Sequence, residues 1–504
     1  MSASREKKKR QEFTASGASD PKNSRAAEEA AVRRSNRLYS GIFIALAVVA
    51  VGLLVYNSGI IGRNQTAVTI DGEKYTVPQT AYYYQQAYQN FMNTYGGYAS
   101  LFGLDTSKPL KDQAYSEDQS WDEFFKEQAV DNMRLVHAAK TAAKEEGVVL
   151  DGEELEAYNE NLEAFKSAAA QQGYSYKAYL TAIYGPTMTP SIYEACSQDS
   201  FLASKYSSEY SEKNFVYSDE EIQAYYEENK NTYDLVDGGY VTVSGAPEAK
   251  TDAEGNAIEA TEEEKEAAMA QAKETAQQIL DAYNAGQDLE SAATSVDDTA
   301  SYNVSEELSY SSSTYGDWLF DESRRSGDAE ILEGDSVYYV AVFNGRQRQE
   351  ALDYNVRHIL ITAESLELAE GEEATEEQLT AKAQEILDSW DGTEDGFAAL
   401  ANENSKDPGS NTTGGLYENV PKGQMISEFQ NWCYEPGRKA GDTGIVYSAS
   451  TGAHIMYFVG YGDTQYWHYA CENAMVNSAM NEWQQSLIDS VTAETDEGGM
   501  KSVG

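Results

Sequence analysis

The sequence of 504 residues predicts an α+β protein that a single amino-terminal helix attaches to a membrane. An apolar stretch, Leu38–Ile61, is long enough to cross a hydrocarbon layer of about 30 Å as a helix. Residues 64–233 place apolar side chains mostly at helical spacing, whereas shorter stretches further along alternate as strands do. The pattern Trp-x5-Arg-x2-Gly-Asp occurs at Trp318 and again at Trp432, which indicates two copies of one small α+β unit.

The first 61 residues have a composition typical of a membrane anchor. Residues 1–40 carry ten Lys or Arg against five acidic residues, although the whole chain has a formal net charge of -47. Because basic flanks stay inside, we expect a basic cytoplasmic tail at 1–37, a transmembrane helix at 38–61 and an extracytoplasmic chain after Arg63. A signal peptide is the alternative, but the basic region is too long and no small-residue cleavage site follows cleanly after Tyr56. No cysteine lies near the apolar stretch, so a lipid anchor is unsupported.

Charge and cysteine content exclude several functions. A chain this acidic repels nucleic acid and anionic lipid surfaces, so neither is an expected ligand. Its three cysteines, Cys196, Cys433 and Cys471, include no CxxC pair and do not form a disulfide framework.

Residues 64–233 are predicted to form a helical domain that opens with two short strands. Ala67–Ile70 turns at Asp71-Gly72 into Glu73–Val77, and glycines separate several of the helices after this hairpin. The predicted helices are Pro78–Tyr95, Trp121–Glu146, Asp151–Gln172, Tyr174–Tyr184, Pro190–Asn214 and Ser218–Tyr233. A carboxy-terminal helix, 464–490, has apolar residues suited to packing back onto this domain, and 491–504 is expected to be a flexible tail.

Residues 234–350 and 351–462 are the two predicted copies. Besides the Trp-Arg pattern they share Ala276–Asp281, which recurs at Ala383–Asp388. The first copy has no histidine in its first strand, Tyr240–Val243. We therefore expect the first copy to keep packing residues but to lack a functional site.

The second copy contains four motifs in a fixed order. His358 lies in an alternating stretch typical of a strand, and Ser405-Lys406-Asp407 ends a predicted helix. Gly423-Gln424-Met425 comes next, with Phe429 four residues after Met425, and then Thr451-Gly452-Ala453-His454. This order resembles the parvulin family of peptidyl-prolyl cis/trans isomerases over residues 351–462.

The resemblance implies two tandem parvulin-like domains, each a small antiparallel sheet with surrounding helices. The domain at 234–350 would be degenerate, since it has no GQM-x3-F motif and Tyr339 stands where His454 stands in the other. The pattern of 64–233 resembles the chaperone region of PrsA- and SurA-type foldases.

The resemblance also implies roles for individual residues. An X-Pro bond rotates over a barrier of about 18–20 kcal/mol that amide resonance sets. Met425 and Phe429, at i and i+4 on one helix face, would form the slot that grips the proline ring. The predicted catalytic residues are His358, Asp407, Thr451 and His454, and the predicted substrate-binding residues are Gln424, Met425 and Phe429. The two histidines and Thr451 would tune Asp407, whose charge would lie near the rotating carbonyl, with no covalent step and no cofactor.

The sequence therefore predicts an extracytoplasmic isomerase that assists folding of secreted or envelope proteins, with unfolded or nascent polypeptides containing X-Pro bonds as substrates. Two alternatives are a non-catalytic membrane-anchored chaperone and a structural partner of another envelope protein. A metal site made of the two histidines, Asp407 and Cys433 is not favoured, because no two of them are closely spaced. Specificity for phosphorylated substrates is rejected, since the segment 364–373 carries five acids and no base.

Overall fold

A computed structural model describes residues 60–252, 257–366, 368 and 372–504. It confirms an α+β architecture with small antiparallel sheets. The predicted transmembrane helix at 38–61 lies outside the described residues except for its last two. Within the described part of the chain, no helix has the length and apolar character needed to cross a membrane. The described residues form two compact units, one made of 60–215 with 479–504 and the other of 216–478.

The first unit is mainly helical. A hairpin of β1 (Thr66–Ile70) and β2 (Glu73–Thr76) follows its first short helix and precedes the others. The helices are Ile60–Asn64, Val77–Tyr95, Trp121–Glu146, Gly152–Gln171, Tyr176–Tyr184 and Pro190–Asn214. The helix 121–146 begins at a reciprocal cap, in which Ser120 and Glu123 bond each other's backbone N–H groups. Its buried face follows the helical period through Trp121, Phe125, Ala129 and Met133.

The second unit opens with two short helices, Asp219–Glu228 and Lys230–Tyr233, and continues with the first sheet. Its strands are β3 (Asp234–Ser244), β6 (Ser301–Leu308), β7 (Asp328–Gly334) and β8 (Val337–Arg348). A separate hairpin consists of β4 (Lys250–Thr251) and β5 (Ala257–Ile258). The helices are Glu262–Asn284, Leu289–Val296 and Thr314–Leu319. The antiparallel strand order is β6-β3-β8-β7.

The second sheet repeats this arrangement. Its strands are β9 (Leu352–Ile361), β10 (Leu416–Val420), β11 (Thr443–Ser448) and β12 (Gly452–Gln465). The helices are Glu376–Asp388, Glu394–Asn404 and Ser427–Cys433. The strand order β10-β9-β12-β11 matches that of the first sheet. In each sheet, one extra residue interrupts the pairing of the two central strands at an equivalent position. This residue is Asn344 of β8 in the first sheet and Val459 of β12 in the second.

The repeated Trp-Arg pattern builds the same turn in both sheets. The Arg438 guanidinium lies 3.7 Å from the centre of the Trp432 ring, and Arg324 lies 4.7 Å from that of Trp318. The aspartate that ends each pattern accepts from a backbone N–H three residues earlier, at 2.8 Å. The repeat therefore preserves packing and a turn rather than a chemical site.

The helix Tyr466–Ser490 contributes residues to each unit. In the second unit, Trp467 packs on Tyr226 with ring centres 5.2 Å apart. In the first unit, Trp483 stacks on Tyr210 with ring centres 4.3 Å apart.

The structure contradicts the flexible tail expected at 491–504. Strand β13 (Ala493–Thr495) pairs antiparallel with β1, with Ile70 opposite Ala493. A short helix, Glu497–Met500, comes next, and Val503 is only 2% exposed. The segment is ordered because the edge of β1 offers unpaired backbone groups and the adjacent core accepts its valines.

Candidate active site

His358 and His454 come from the two central strands of the second sheet. His358 lies opposite Met456 in β12, and His454 lies opposite Leu360 in β9. Because side chains alternate along a strand, this register places both imidazoles on one face as diagonal neighbours. The rings stack with centres 5.4 Å apart, and the two residues are only 4% and 5% exposed.

A continuous chain of hydrogen bonds links Thr451, the two histidines and Asp407. The Thr451 hydroxyl lies 2.8 Å from His454 Nε2, and the two Nδ1 atoms are 3.3 Å apart. His358 Nε2 lies 2.9 Å from Asp407 Oδ2. A carboxylate only accepts, so His358 donates from Nε2 and, when neutral, accepts at Nδ1. His454 then donates from Nδ1 and accepts the Thr451 proton, so that every donor in the chain points towards Asp407.

Asp407 is held as a carboxylate by further donors. Its Oδ2 also accepts from the Ser410 hydroxyl and from the Tyr417 hydroxyl at 3.0 Å, and Oδ1 accepts from the Gly409 N–H at 3.2 Å. The bond from His358 is the main cause that holds the pKa of Asp407 well below its usual range, although partial burial opposes it. The Asp407 carboxylate is therefore charged throughout the physiological range.

Burial has the opposite consequence for His454. Loss of solvent, together with the neighbouring His358, lowers the pKa of His454 to about 4. His454 is therefore neutral near pH 7, as the direction of the hydrogen-bond chain requires.

The loop that carries Asp407 is fastened to β9. The Ser405 hydroxyl accepts from the N–H groups of Leu360 and Asp407, at 3.1 and 3.3 Å. Gly415 has a φ of +70°, and a Cβ there would lie 2.2 Å from the carbonyl oxygen of His358. Only glycine permits this approach, which lets Gly415 accept from the His358 N–H at 2.9 Å.

The predicted proline slot differs from the structure in one respect. Met425 does not share a helix face with Phe429, because the helix begins at Ser427 and Met425 lies in the turn before it. Gly423, with a φ of +93°, permits this turn, and the Gln430 side chain holds it by accepting from the Gly423 N–H. A continuous helix from 425 is therefore not formed.

Met425 and Phe429 nevertheless belong to the same apolar cluster. Phe429, 2% exposed, places its ring edge-on to His358 and His454, with ring centres 5.3 and 5.7 Å apart. Met425 is half-buried and the Gln424 side chain is exposed. The structure thus brings the apolar pair beside the hydrogen-bond chain, with Gln424 at the surface.

Sequence reasoning missed Ser410 and Tyr417, both of which bind Asp407. Tyr417 lies opposite Val356, two residues before His358, and so shares the face of the sheet that carries the histidines. The only sequence signal was its position just after the Gly-Gly pair.

Cys433 is a packing residue. It is buried in the apolar cluster, and burial raises the pKa of its thiol to about 12. Over the residues that the structure describes, no group of three His, Cys, Asp or Glu side chains is placed to hold a metal ion.

Residues 338–459 match the family model of the PPIC-type PPIase domain. This segment contains all four motifs, and it is a peptidyl-prolyl isomerase domain of the parvulin type. The resemblance predicted from the sequence is confirmed. No curated protein matches the chain.

Several solved structures are similar to parts of the chain. They include the peptidylprolyl isomerase PrsA of Bacillus anthracis (20% identity, 28% of this chain and 59% of that chain, TM-score 0.20) and PrsA of Bacillus subtilis (11% identity, 85% and 92%, TM-score 0.27). A structure from Campylobacter jejuni, described as a SurA-like chaperone, shares 20% identity over 28% of this chain and 52% of its own, with a TM-score of 0.18. The chain thus spans less than two thirds of the Bacillus anthracis and Campylobacter jejuni structures. All these TM-scores lie below 0.5, so the functional conclusions rest on the domain match and on the site.

Proposed function

We propose that this protein is a membrane-anchored, extracytoplasmic peptidyl-prolyl cis/trans isomerase that assists the folding of secreted or envelope proteins. The observation that carries the proposal is the hydrogen-bond chain from Thr451 to Asp407 beside Phe429, inside the segment that matches the PPIC-type PPIase domain.

The site acts by holding a proline residue while its preceding carbonyl rotates. Met425 and Phe429 supply apolar surface for the proline ring, and the exposed Gln424 side chain binds the substrate backbone. The Asp407 carboxylate, kept charged and fixed by four donors, presents negative charge to the rotating amide. This charge disfavours the planar, resonance-stabilised amide more than the twisted one, so it lowers the barrier. No bond to the substrate forms or breaks.

The direction of the hydrogen-bond chain gives each of its four residues a role. Thr451 and His454 fix the orientation of His358, and His358 positions Asp407. The neutral state of His454 matters here, because a second proton would occupy Nε2 and stop this atom from accepting the Thr451 hydroxyl proton. Thr451, His454 and His358 thus act through Asp407, which acts on the substrate.

Membrane attachment and an extracytoplasmic site rest on the composition of residues 1–61. The basic tail, the apolar stretch 38–61 and the acidic chain beyond Arg63 together favour one crossing with the amino terminus in the cytoplasm. The substrates in this location are unfolded or nascent secreted chains that contain X-Pro bonds.

The decisive assay measures cis-to-trans isomerisation of a short X-Pro peptide by the purified full chain. We expect acceleration by the unmodified chain and its loss in His454→Ala. The matched control is His468→Ala, since His468 lies on the helix 466–490 outside the site and bonds Asp219. Absence of acceleration by the folded, unmodified chain would rule out the isomerase function.

A non-catalytic chaperone is the second candidate, and one observation in the first unit favours it. Large apolar side chains are exposed around the short helix Gly96–Phe102, where Tyr98 is 65% and Leu101 80% exposed. Such a patch suits apolar segments of unfolded chains. Suppressed aggregation of an unfolded protein that survives His454→Ala but is lost on Leu101→Ser would support this candidate.

Protease protection tests the proposed topology. Protease added to intact cells or protoplasts should digest the part of the chain after Arg63 and spare residues 1–37. Protection of the carboxy-terminal part would contradict the proposed orientation.

A further inference from the structure

The first sheet carries a different set of side chains at the position of the active site. Counted from the shared interruption of the central strands, Tyr240 in β3 takes the place of His358 in β9. By the same count, Tyr339 in β8 takes the place of His454 in β12. Both imidazoles of the hydrogen-bond chain are thus replaced by phenol rings.

A third tyrosine replaces the phenylalanine of the slot. The helix Thr314–Leu319 corresponds to Ser427–Cys433, and alignment of their tryptophans places Tyr315 where Phe429 stands. The Tyr240 and Tyr315 rings stack with centres 3.8 Å apart, and Tyr315 lies 5.1 Å from Tyr339. All three tyrosines are half-buried, whereas His358, His454 and Phe429 are buried, so the tyrosine rings remain accessible to a ligand.

A cavity of about 370 Å³ opens beside two of these rings. Its lining includes Tyr240, Tyr315, Asn303, Ser305, Leu319 and Phe320. The aromatic and aliphatic side chains offer a flat apolar surface, and the amide and hydroxyl groups can bond a peptide backbone. Aromatic-lined grooves of this kind bind proline-containing segments in the extended polyproline conformation, whose order is preformed.

The cavity borders the substrate-binding turn of the second sheet. Glu307 lines the cavity, and both of its carboxylate oxygens lie 2.9 Å from Lys422 Nζ. Lys422 directly precedes Gly423-Gln424-Met425. The ion pair neutralises the acidic group in the lining and connects the cavity to the turn, so one extended chain can contact both.

We propose that the cavity beside Tyr240 and Tyr315 is a non-catalytic binding site for a proline-containing extended segment of the same substrate chain whose X-Pro bond the second sheet isomerises. The proposal rests on the proposed isomerase function. Binding of one segment raises the effective concentration of the neighbouring X-Pro bond at the active site, and so lowers KM for long substrates alone.

The test compares two peptides and two variants of the full chain. One peptide is a tetrapeptide with a single X-Pro bond, and the other joins this sequence through a Gly/Ser spacer to a second, proline-rich segment. Ser309→Trp fills the cavity from an exposed lining position without removing an internal contact. Ser326→Trp adds the same side chain at an exposed position of the same domain outside the cavity.

For the unmodified chain we expect KM to be about tenfold lower for the joined peptide than for the tetrapeptide. Ser309→Trp should remove this advantage and leave the kinetics of the tetrapeptide unchanged, whereas Ser326→Trp should alter neither. An equal KM for both peptides in the unmodified chain would overturn the proposal while leaving the isomerase function intact. A joined peptide with phenylalanine in place of the second prolines should lose the advantage, and its retention would overturn the assignment to proline.

Folding of each variant is checked by circular dichroism and by its rate on the tetrapeptide. If Ser309→Trp fails this check, Tyr315→Ala takes its place, because it removes the stacked ring of the short helix. Tyr315→Ala should also raise KM for the joined peptide. Absence of any rate on the tetrapeptide in the unmodified chain would instead refute the proposed function.

Discussion

The Nδ1 atoms of His358 and His454 lie 3.3 Å apart, so a single proton lies between the two imidazole rings. Two protonated rings would bring two N–H groups into opposition at this distance. His358 Nε2 donates to Asp407, so His358 Nδ1 accepts from His454 Nδ1, and a neutral His454 accepts the Thr451 proton at Nε2. The direction of these hydrogen bonds and the lowered pKa of His454 therefore both correspond to a neutral His454.

The first prediction concerns the pH dependence of stability. The pKa of His454 is about 4 in the folded protein, against a usual value near 6.5, so between these values the unfolded chain binds a proton that the folded chain does not. The free energy of unfolding should consequently fall as pH falls through this window, by about 2 kcal/mol between pH 7 and pH 5. Urea unfolding of the full chain at pH 7 and at pH 5 measures this difference in unfolding free energy.

Two variants separate this effect from others. His454→Gln removes the titrating group and should flatten the dependence between pH 7 and pH 5. His468→Gln, on a histidine outside the site, should keep the slope of the unmodified chain. An undiminished slope in His454→Gln would show that another group titrates. Below about pH 4, protonation of Asp407 should cause a further loss, because the pKa of this carboxyl is lowered by folding.

The second prediction concerns Asp407. Asp407→Ala removes the charge next to the substrate but not the apolar slot, so kcat should fall by about tenfold or more while KM changes little. Tyr417→Phe removes only one of the four donors to the carboxylate and should lower kcat by about threefold. Steady-state kinetics on a short X-Pro peptide give both values. Full activity of a folded Asp407→Ala chain would exclude the assigned role and favour the non-catalytic chaperone.

The third prediction separates binding from stability in the slot. Met425 is half-buried, so Met425→Ala should raise KM with a small effect on stability. Phe429 is fully enclosed against both histidines, and Phe429→Ala should raise KM and also cost about 3–5 kcal/mol of unfolding free energy. Steady-state kinetics and a thermal melting curve of each variant separate the effect on substrate binding from the effect on stability. Unchanged KM in a folded Met425→Ala chain would remove Met425 from the substrate site.

Local signals in the sequence predicted most helices. The helices Trp121–Glu146 and Pro190–Asn214 have the predicted bounds, because Ser120 and Thr189 cap their first turns, and Gly147 ends the first of them. The ordered motifs likewise located the two histidines, Asp407 and Thr451, and the structure links these four side chains by hydrogen bonds.

Features that depend on pairing between distant segments were not predictable in this way. The equivalence of Tyr240 with His358 needs the register of two strands, which side-chain alternation within one strand does not supply. Tyr417 reaches Asp407 only because β10 pairs with β9. The turn at Met425 depends on a side chain further along, since Gln430 holds Gly423.

The last prediction concerns the carboxy-terminal segment, whose order the sequence did not indicate. Strand β13 completes a three-stranded sheet with β1 and β2, and the Asp71 side chain accepts from the Thr492 N–H at 2.9 Å. Truncation after Ser490 removes these contacts and the buried Val503, so it should destabilise the first unit. Isomerase kinetics on a short peptide should stay the same, because every site residue belongs to the second unit.

Point variants test the same segment without deleting it. Val503→Ala should lower the unfolding free energy of the first unit by about 2 kcal/mol, through lost burial and an unfilled cavity. Lys501→Ala is the matched control, because this side chain is 79% exposed and its pairing with Glu497 adds little. Hydrogen exchange of the β1 amides that face β13 reports the difference, since their protection depends on the pairing with β13, whereas the amides that face β2 serve as a reference. Equal exchange in Val503→Ala and Lys501→Ala would mean that the segment adds no stability to the first unit and behaves as a tail.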